Sequence, residues 1–168
     1  MALAQTLPLA ADQPVLSVEN LTTSFLVEGE WKEVVRDVSF TVAPGETVAI
    51  VGESGSGKSV TSLSVMRLLQ PDTSRIMGRI ALSGRDLLSL PEHEMRKVRG
   101  KDIAMIFQEP MTSLNPLFTI GDQISEALLA HSSMSAADAR LETIRLLEKV
   151  RIPSAASRFD EYPHRFSG

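Results

Sequence analysis

The residues from Gly52 to Ser59 read Gly-Glu-Ser-Gly-Ser-Gly-Lys-Ser, the pattern G-x-x-x-x-G-K-[ST]. The chemistry this spacing supports is the binding of phosphate. Gly52, Gly55 and Gly57 reach backbone angles that a side chain would forbid, and without Cβ they let phosphate oxygens approach the amides. Successive amides of Glu53, Ser54 and Ser56 add to a concave nest, and a following helix points its positive end at the same place. Lys58 supplies a full positive charge for the β- and γ-phosphates, and the Ser59 hydroxyl can ligate Mg²⁺. Average residue frequencies give these four fixed positions by chance in under about one per cent of chains of this length. A glycine-rich turn that only caps a helix is the plainer alternative, and the neighbouring elements weigh against it.

Those elements must place the loop between a strand and a helix. Before it, Thr47–Val51 is a nearly continuous β-branched and apolar run, read as a strand buried on both faces of a mixed or parallel sheet. After it, Leu63, Met66, Leu68 and Leu69 follow a helical pattern that stops before Pro71. Val15–Glu19 and Leu21–Phe25 read as strand, Glu28-Gly29-Glu30 as a turn, Val34–Val42 as a second strand, and Pro44-Gly45-Glu46 as a second turn. Arg79–Leu82 suggests another strand, Pro91–Arg99 a polar helix, and Ile103–Phe107 a second central strand. From Glu109 to Pro116 the chain reads as a loop. Thr119–His131 and Ser135–Arg151 are helical by period, the second with Leu141, Ile144, Leu147 or Glu148, and Arg151 on one face, and Leu146 and Val150 beside it. The fold class expected is α/β, with a helical part attached.

Composition narrows the function classes. The chain has 168 residues, 43% hydrophobic and 23% charged, enough for one ordinary domain with a real core. A net charge of −4 gives no basic surface for nucleic acid. The absence of cysteine excludes a disulfide framework, a thiolate metal site and a cysteine nucleophile. No apolar run reaches the roughly 18 residues of a membrane span. Met1–Gln13 is rich in Ala and Leu but lacks a basic segment and is interrupted by Pro8, so it reads as a loose extension rather than a signal peptide.

The segments Ala49–Ser59 and Met105–Pro116, the latter Met-Ile-Phe-Gln-Glu-Pro-Met-Thr-Ser-Leu-Asn-Pro, closely resemble the nucleotide-binding subunits of ABC transporters. The similarity runs from about Val15 to Gly168 and is to the peptide importer branch, which handles dipeptides, oligopeptides and glutathione; the early segments resemble the tandem-ATPase glutathione importers most. The resemblance implies a P-loop ATPase of ABC type built on a mixed sheet. Residues 1–14 would be a flexible extension, 15–109 the ATP-binding core, and 110–168 a helical subdomain ending inside the signature motif, at Phe166-Ser167-Gly168. It makes Gln108 the Q-loop glutamine, able to ligate Mg²⁺ or orient water and to sense the membrane partner. It makes Phe25 the aromatic that stacks on adenine, with Trp31 the other candidate nearby. Glu109–Leu117 and the helix after it would receive a helix of the membrane subunit, with Met111, Leu114, Leu117 and Phe118 supplying apolar surface.

The same resemblance implies ATP and Mg²⁺ as cofactors, with Ser59 and Gln108 as metal ligands. The implied partners are two integral membrane permease subunits, a second ATPase subunit and, indirectly, a solute-binding protein, with no nucleic acid. The implied place is the cytoplasmic face of the cell inner membrane. The Walker B strand, its Asp and the catalytic Glu have no counterpart in these 168 residues, so no catalytic residue is assigned; Glu53 and Glu109 are poor substitutes. His93, His131 and His164 are scattered and read as packing or surface residues. Without the family's later strands, Thr47–Val51 and Ile103–Phe107 are expected to expose apolar faces. The function expected is the energy-coupling subunit of an importer for peptides or glutathione. The alternatives are a remnant that binds nucleotide without hydrolysis, a soluble ABC ATPase without membrane partners, and another P-loop class such as a nucleotide kinase.

Overall fold

The computed structural model describes residues 13–107 and 113–166. The chain divides into two compact units, Met1–Met95 and Arg96–Gly168.

The first unit is organised by a long antiparallel hairpin. Strand β1 (Leu16–Val27) turns through Glu28 and Gly29 into β2 (Glu30–Val42). Both turn residues have positive φ, 54° and 83°, which matches the twist of the flanking strands. The two early segments expected from sequence are one strand, bent at Asn20. There the register with both neighbours shifts, and Asn20 Nδ2 donates to Asp37 Oδ1 across 2.7 Å. Strands β3 (Ser74–Leu82) and β4 (Arg85–Asp86) complete a four-stranded antiparallel sheet of order β2-β1-β3-β4. β1 is therefore interior, and its Val18 and Leu21, with Ile80 of β3, are fully buried.

Helix α1 (Lys58–Val65) follows the glycine loop and buries Thr61, Ser64 and Val65. It is shorter than the pattern to Leu69 predicts. Arg67 enters the left-handed region at φ 52° and its guanidinium donates to the carbonyls of Leu87 and Leu90, so the chain leaves the helix there.

Two expectations are corrected. Thr47–Val51 forms no strand among the described residues, and Val48, Ile50 and Val51 are exposed, Val51 by 91%. Ile103–Phe107 forms only an isolated parallel bridge between Ile103 and Arg99, with Ile106 92% exposed. The physical reason is the same for both. An apolar run becomes a doubly buried strand only between two paired neighbours, and neither run has one among the described residues. The described strands pair antiparallel, within the α/β class expected.

In the second unit the helices are α3 (Ile120–His131), α4 (Ala136–Lys149) and α5 (Ala155–Arg158), before a 3₁₀ turn at Pro163–Arg165; the short α2 (Glu92–Val98) spans the division between units. Thr119 and Ser135 cap α3 and α4, each hydroxyl accepting from the amide three residues on at 3.1 Å. Ile120, Leu147 and Ala155 form the core, with Leu114, Ile144 and Phe166 packed against it. The buried stripe of α4 is Ala139, Thr143 and Leu147. Leu141 and Val150, expected on or beside the apolar face, are exposed; the side that faces α3 carries Thr143, bonded to Ser125 at 3.0 Å.

Candidate nucleotide-binding site

The phosphate loop is built as the sequence requires. Gly55 and Gly57 take φ of 82° and 91°. Gly57 is the N-cap of α1 and has no side chain to cap it. It is buried against β2, where a Cβ would lie 3.2 Å from the Val34 carbonyl oxygen and 3.3 Å from Val35 Cγ2. Gly52 is held close as well, since a Cβ there would meet Ser56 Oγ at 2.6 Å.

Lys58 folds back over the loop. Its Nζ donates to the carbonyls of Gly52 and Glu53, both at 2.7 Å, and to Ser56 Oγ at 3.3 Å. Ser56 N closes the turn onto Glu53 O at 3.2 Å. The first α1 amide to donate along the helix is Thr61 N, to Gly57 O at 2.8 Å. The earlier amides, of Lys58, Ser59 and Val60, are the orphan donors of a helix start. Thr61 Oγ1 also donates to Gly57 O, at 3.0 Å, which fixes the cap carbonyl. Ser59 is exposed on the first turn.

These features fit a polyphosphate. The loop offers unpartnered amides, a helix N-terminus and one ammonium folded over the loop, at a place where Cβ atoms added at Gly52 or Gly57 would crowd Ser56 or β2. Ser59 carries an exposed hydroxyl on the first turn of α1, directly after Lys58. Gly52, Gly55, Ser56 and Lys58 border a pocket of about 840 Å³, whose other walls include Val38 and Phe40 of β2 and Val48 to Val51.

Phe25 lies on β1 opposite Lys32 and Ser74 and is half-buried. Trp31 faces the other side of the sheet, opposite Leu26, and the Arg75 guanidinium covers its ring at 3.8 Å. The two aromatic candidates are thus separated by strand alternation. Gln108, Glu109 and Met111 lie outside the described residues, as do Ser167 and Gly168 of the signature. Leu114 packs into the helical core, whereas Leu117 and Phe118 are exposed. His93 lies 3.5 Å from Glu94, His131 sits over Gly100, and His164 stacks on Tyr162 with ring centroids 6.0 Å apart.

Sequence reasoning missed a buried polar contact between β1 and the helix that follows the loop. Thr23 Oγ1 of β1 and Ser64 Oγ of α1 are 2.8 Å apart and buried. Within the polar stretch Thr22-Thr23-Ser24, nothing in the residue types singles out one hydroxyl as the inward one.

A family model described as ABC transporter matches residues 35–168. The chain is 51% identical over 155 residues to a putative peptide import ATP-binding protein of Brucella abortus, covering 92% of this chain and 47% of that protein. It is 53% identical over 157 residues to the dipeptide transport ATP-binding protein DppD of Bacillus subtilis, covering 93% and 47%. It therefore spans about half the length of the curated relatives it matches. Among solved structures it resembles the dimeric bacterial ABC transporter cassette MJ0796, with a TM-score of 0.75 at 24% identity over 91% of this chain and 63% of that one. It also resembles the ATP-bound bacterial Atm1-family ABC exporter, with a TM-score of 0.58 at 26% identity over 95% and 26%.

Proposed function

The chain belongs to the ABC transporter family, and on that premise we propose that it is the ATP-binding, energy-coupling part of an importer for peptides. The observation that carries this reading is the loop from Gly52 to Ser59, with Lys58 and the α1 amides gathered where a polyphosphate would sit. The relatives named for peptide and dipeptide import support peptides as the solute class, and glutathione is the finer possibility within it.

In this reading Lys58 exchanges its bonds to Gly52 O and Glu53 O for β- and γ-phosphate oxygens, and the amides of α1 hold the same group. Ser59 and Gln108 would hold Mg²⁺, which when bound would neutralise phosphate charge. Phe25 stacks on the adenine. In this reading ATP hydrolysis belongs to proteins of the relatives' full length, about half of which this chain spans. A second ATPase subunit closes on the nucleotide, two membrane permease subunits take up the motion, and a solute-binding protein delivers the peptide. No helix among the described residues is long and apolar enough to cross a membrane. The reading as an importer's ATP-binding part puts the chain at the cytoplasmic face of the inner membrane, against the permease subunits.

A second reading is nucleotide binding without turnover by the 168 residues. The unpaired, exposed run Val48–Val51 just before the loop favours it, because a loop hung on an unpaired segment is poorly fixed for chemistry.

Titrating the purified chain with Mg²⁺-ATP, and following hydrolysis in the same samples, tests both. Binding that Lys58→Ala abolishes supports the first reading of the loop. Binding without release of phosphate favours the second for this chain. No saturable binding by the folded chain overturns both.

A further inference from the structure

The glycine start of α1 has no capping side chain, so the position of the phosphate loop has to be set from elsewhere. Beside the burial of Val65 and the bonds of Arg67 at its far end, two contacts hold α1 to the hairpin. One is the close approach of Gly57 to the Val34 carbonyl and Val35. The other is a chain of hydroxyls on the buried side of α1. Ser64 Oγ donates to Val60 O at 2.7 Å, which uses its only proton. The 2.8 Å contact between Thr23 and Ser64 is therefore a bond from Thr23 Oγ1 to Ser64 Oγ. Both residues are fully buried. Thr23 sits on the interior strand β1, opposite Val35 of β2, where the register shifts on either side, and opposite Ile76 of β3 in a regular stretch of ladder, so its backbone is held between two strands.

We infer that Thr23 is a positioning residue for nucleotide binding: its hydroxyl, through Ser64, sets the rotation and depth of α1 on the sheet and so the placement of the Gly57–Ser59 amides. A valine would fill the same volume and pack against Val35 without a polar atom to satisfy. Packing alone therefore has no need of the hydroxyl, whereas a directional bond fixes the rotation of a short helix about its axis as apolar contact does not. The chain of bonds runs from the strand ladder through Thr23 and Ser64 to the carbonyl of Val60, the residue that follows the cation-ligating Ser59. This inference rests on the reading of the loop as an ATP site.

Four variants of the 168-residue chain test it: Thr23→Val, Thr23→Ser, Ser64→Ala, and Thr23→Val with Ser64→Ala. Mg²⁺-ATP affinity, urea midpoints and amide hydrogen exchange across residues 57–62 are measured on each, with wild type and Lys58→Ala alongside. Ser64→Ala orphans the buried Thr23 hydroxyl and is the least stable of the four; the double variant regains stability because no unpaired group remains. The expected result is that affinity falls about five- to tenfold in Thr23→Val, is kept in Thr23→Ser, and stays low in the double variant although its urea midpoint recovers. Exchange at residues 57–62 should rise in the same variants that lose affinity. Affinity that simply follows the urea midpoint, or a Thr23→Val chain that binds like wild type, overturns the inference and leaves the ATP reading intact. A folded wild type that does not bind removes the ATP reading and this inference with it.

Discussion

The Lys58 ammonium donates to the Gly52 carbonyl across 2.7 Å, joining the charged end of the phosphate loop to its first residue. The bond holds the loop closed on itself. It also marks the group that must change partners when phosphate enters, because an ammonium has three donors and here all three are engaged within the loop.

Lys58→Ala should therefore separate binding from folding. Its acceptors are exposed, so water replaces the lost bonds and the stability change stays within about 0.5 kcal/mol. Urea unfolding that shifts by much more than this would show the lysine to be structural.

Gly57→Ala should damage both. The residue has φ 91°, and its Cβ would press on the Val34 carbonyl oxygen at 3.2 Å. Backbone strain of this kind costs about 1–3 kcal/mol. The urea midpoint should fall accordingly, and ATP binding should weaken more than stability alone explains.

Phe25→Ala should reduce ATP affinity by the worth of one stacked base, about 1–3 kcal/mol. Trp31→Ala, on the opposite face under Arg75, should leave it unchanged. The reverse ranking in a nucleotide titration would move the adenine to the other side of the sheet.

In the helical unit, Gly121→Ala should be destabilising even though alanine is the better helix former. A Cβ there would lie 2.3–2.4 Å from three ring atoms of Phe159, which is buried and covered by the Arg140 guanidinium at 3.9 Å. Overpacking of about 1–3 kcal/mol exceeds the helix gain of about 1 kcal/mol at most sites. Combining it with Phe159→Leu should recover part of the loss in the same denaturation assay.

The acid side of the stability profile should involve Asp160. The hydrogen bond from Arg140 holds its carboxyl below the usual aspartate range, against a smaller opposing effect of desolvation. A carboxyl lowered in the folded state contributes stability above its unfolded value and loses it as pH falls through the folded one. Asp160→Asn should flatten the thermal-stability profile from the ordinary aspartate range downward and leave its alkaline side unchanged. Added salt should shrink the difference, because the pair is exposed.

The sequence by itself determined the loop, its chemistry and the type of most elements. Gly52, Gly57, Lys58 and Ser59 have roles that follow from residue type at fixed spacing, and the periodicity of Ile120–His131 and Ala136–Lys149 is local information. The turn at Glu28-Gly29 acts within a few positions of itself, so it too was legible, whereas Thr119 and Ser135, read as the first residues of helices, are their caps. What the tertiary structure decided depends on partners distant in the chain. Thr47–Val51 and Ile103–Phe107 have the composition of strands, but a strand exists only when another pairs with it. The buried side of α4 takes in Ala139 and Thr143, the latter bonded to Ser125 of α3, along with Leu147, while Leu141 stays exposed. The bond between Thr23 and Ser64 joins residues 41 positions apart, and no periodicity within either segment could announce it.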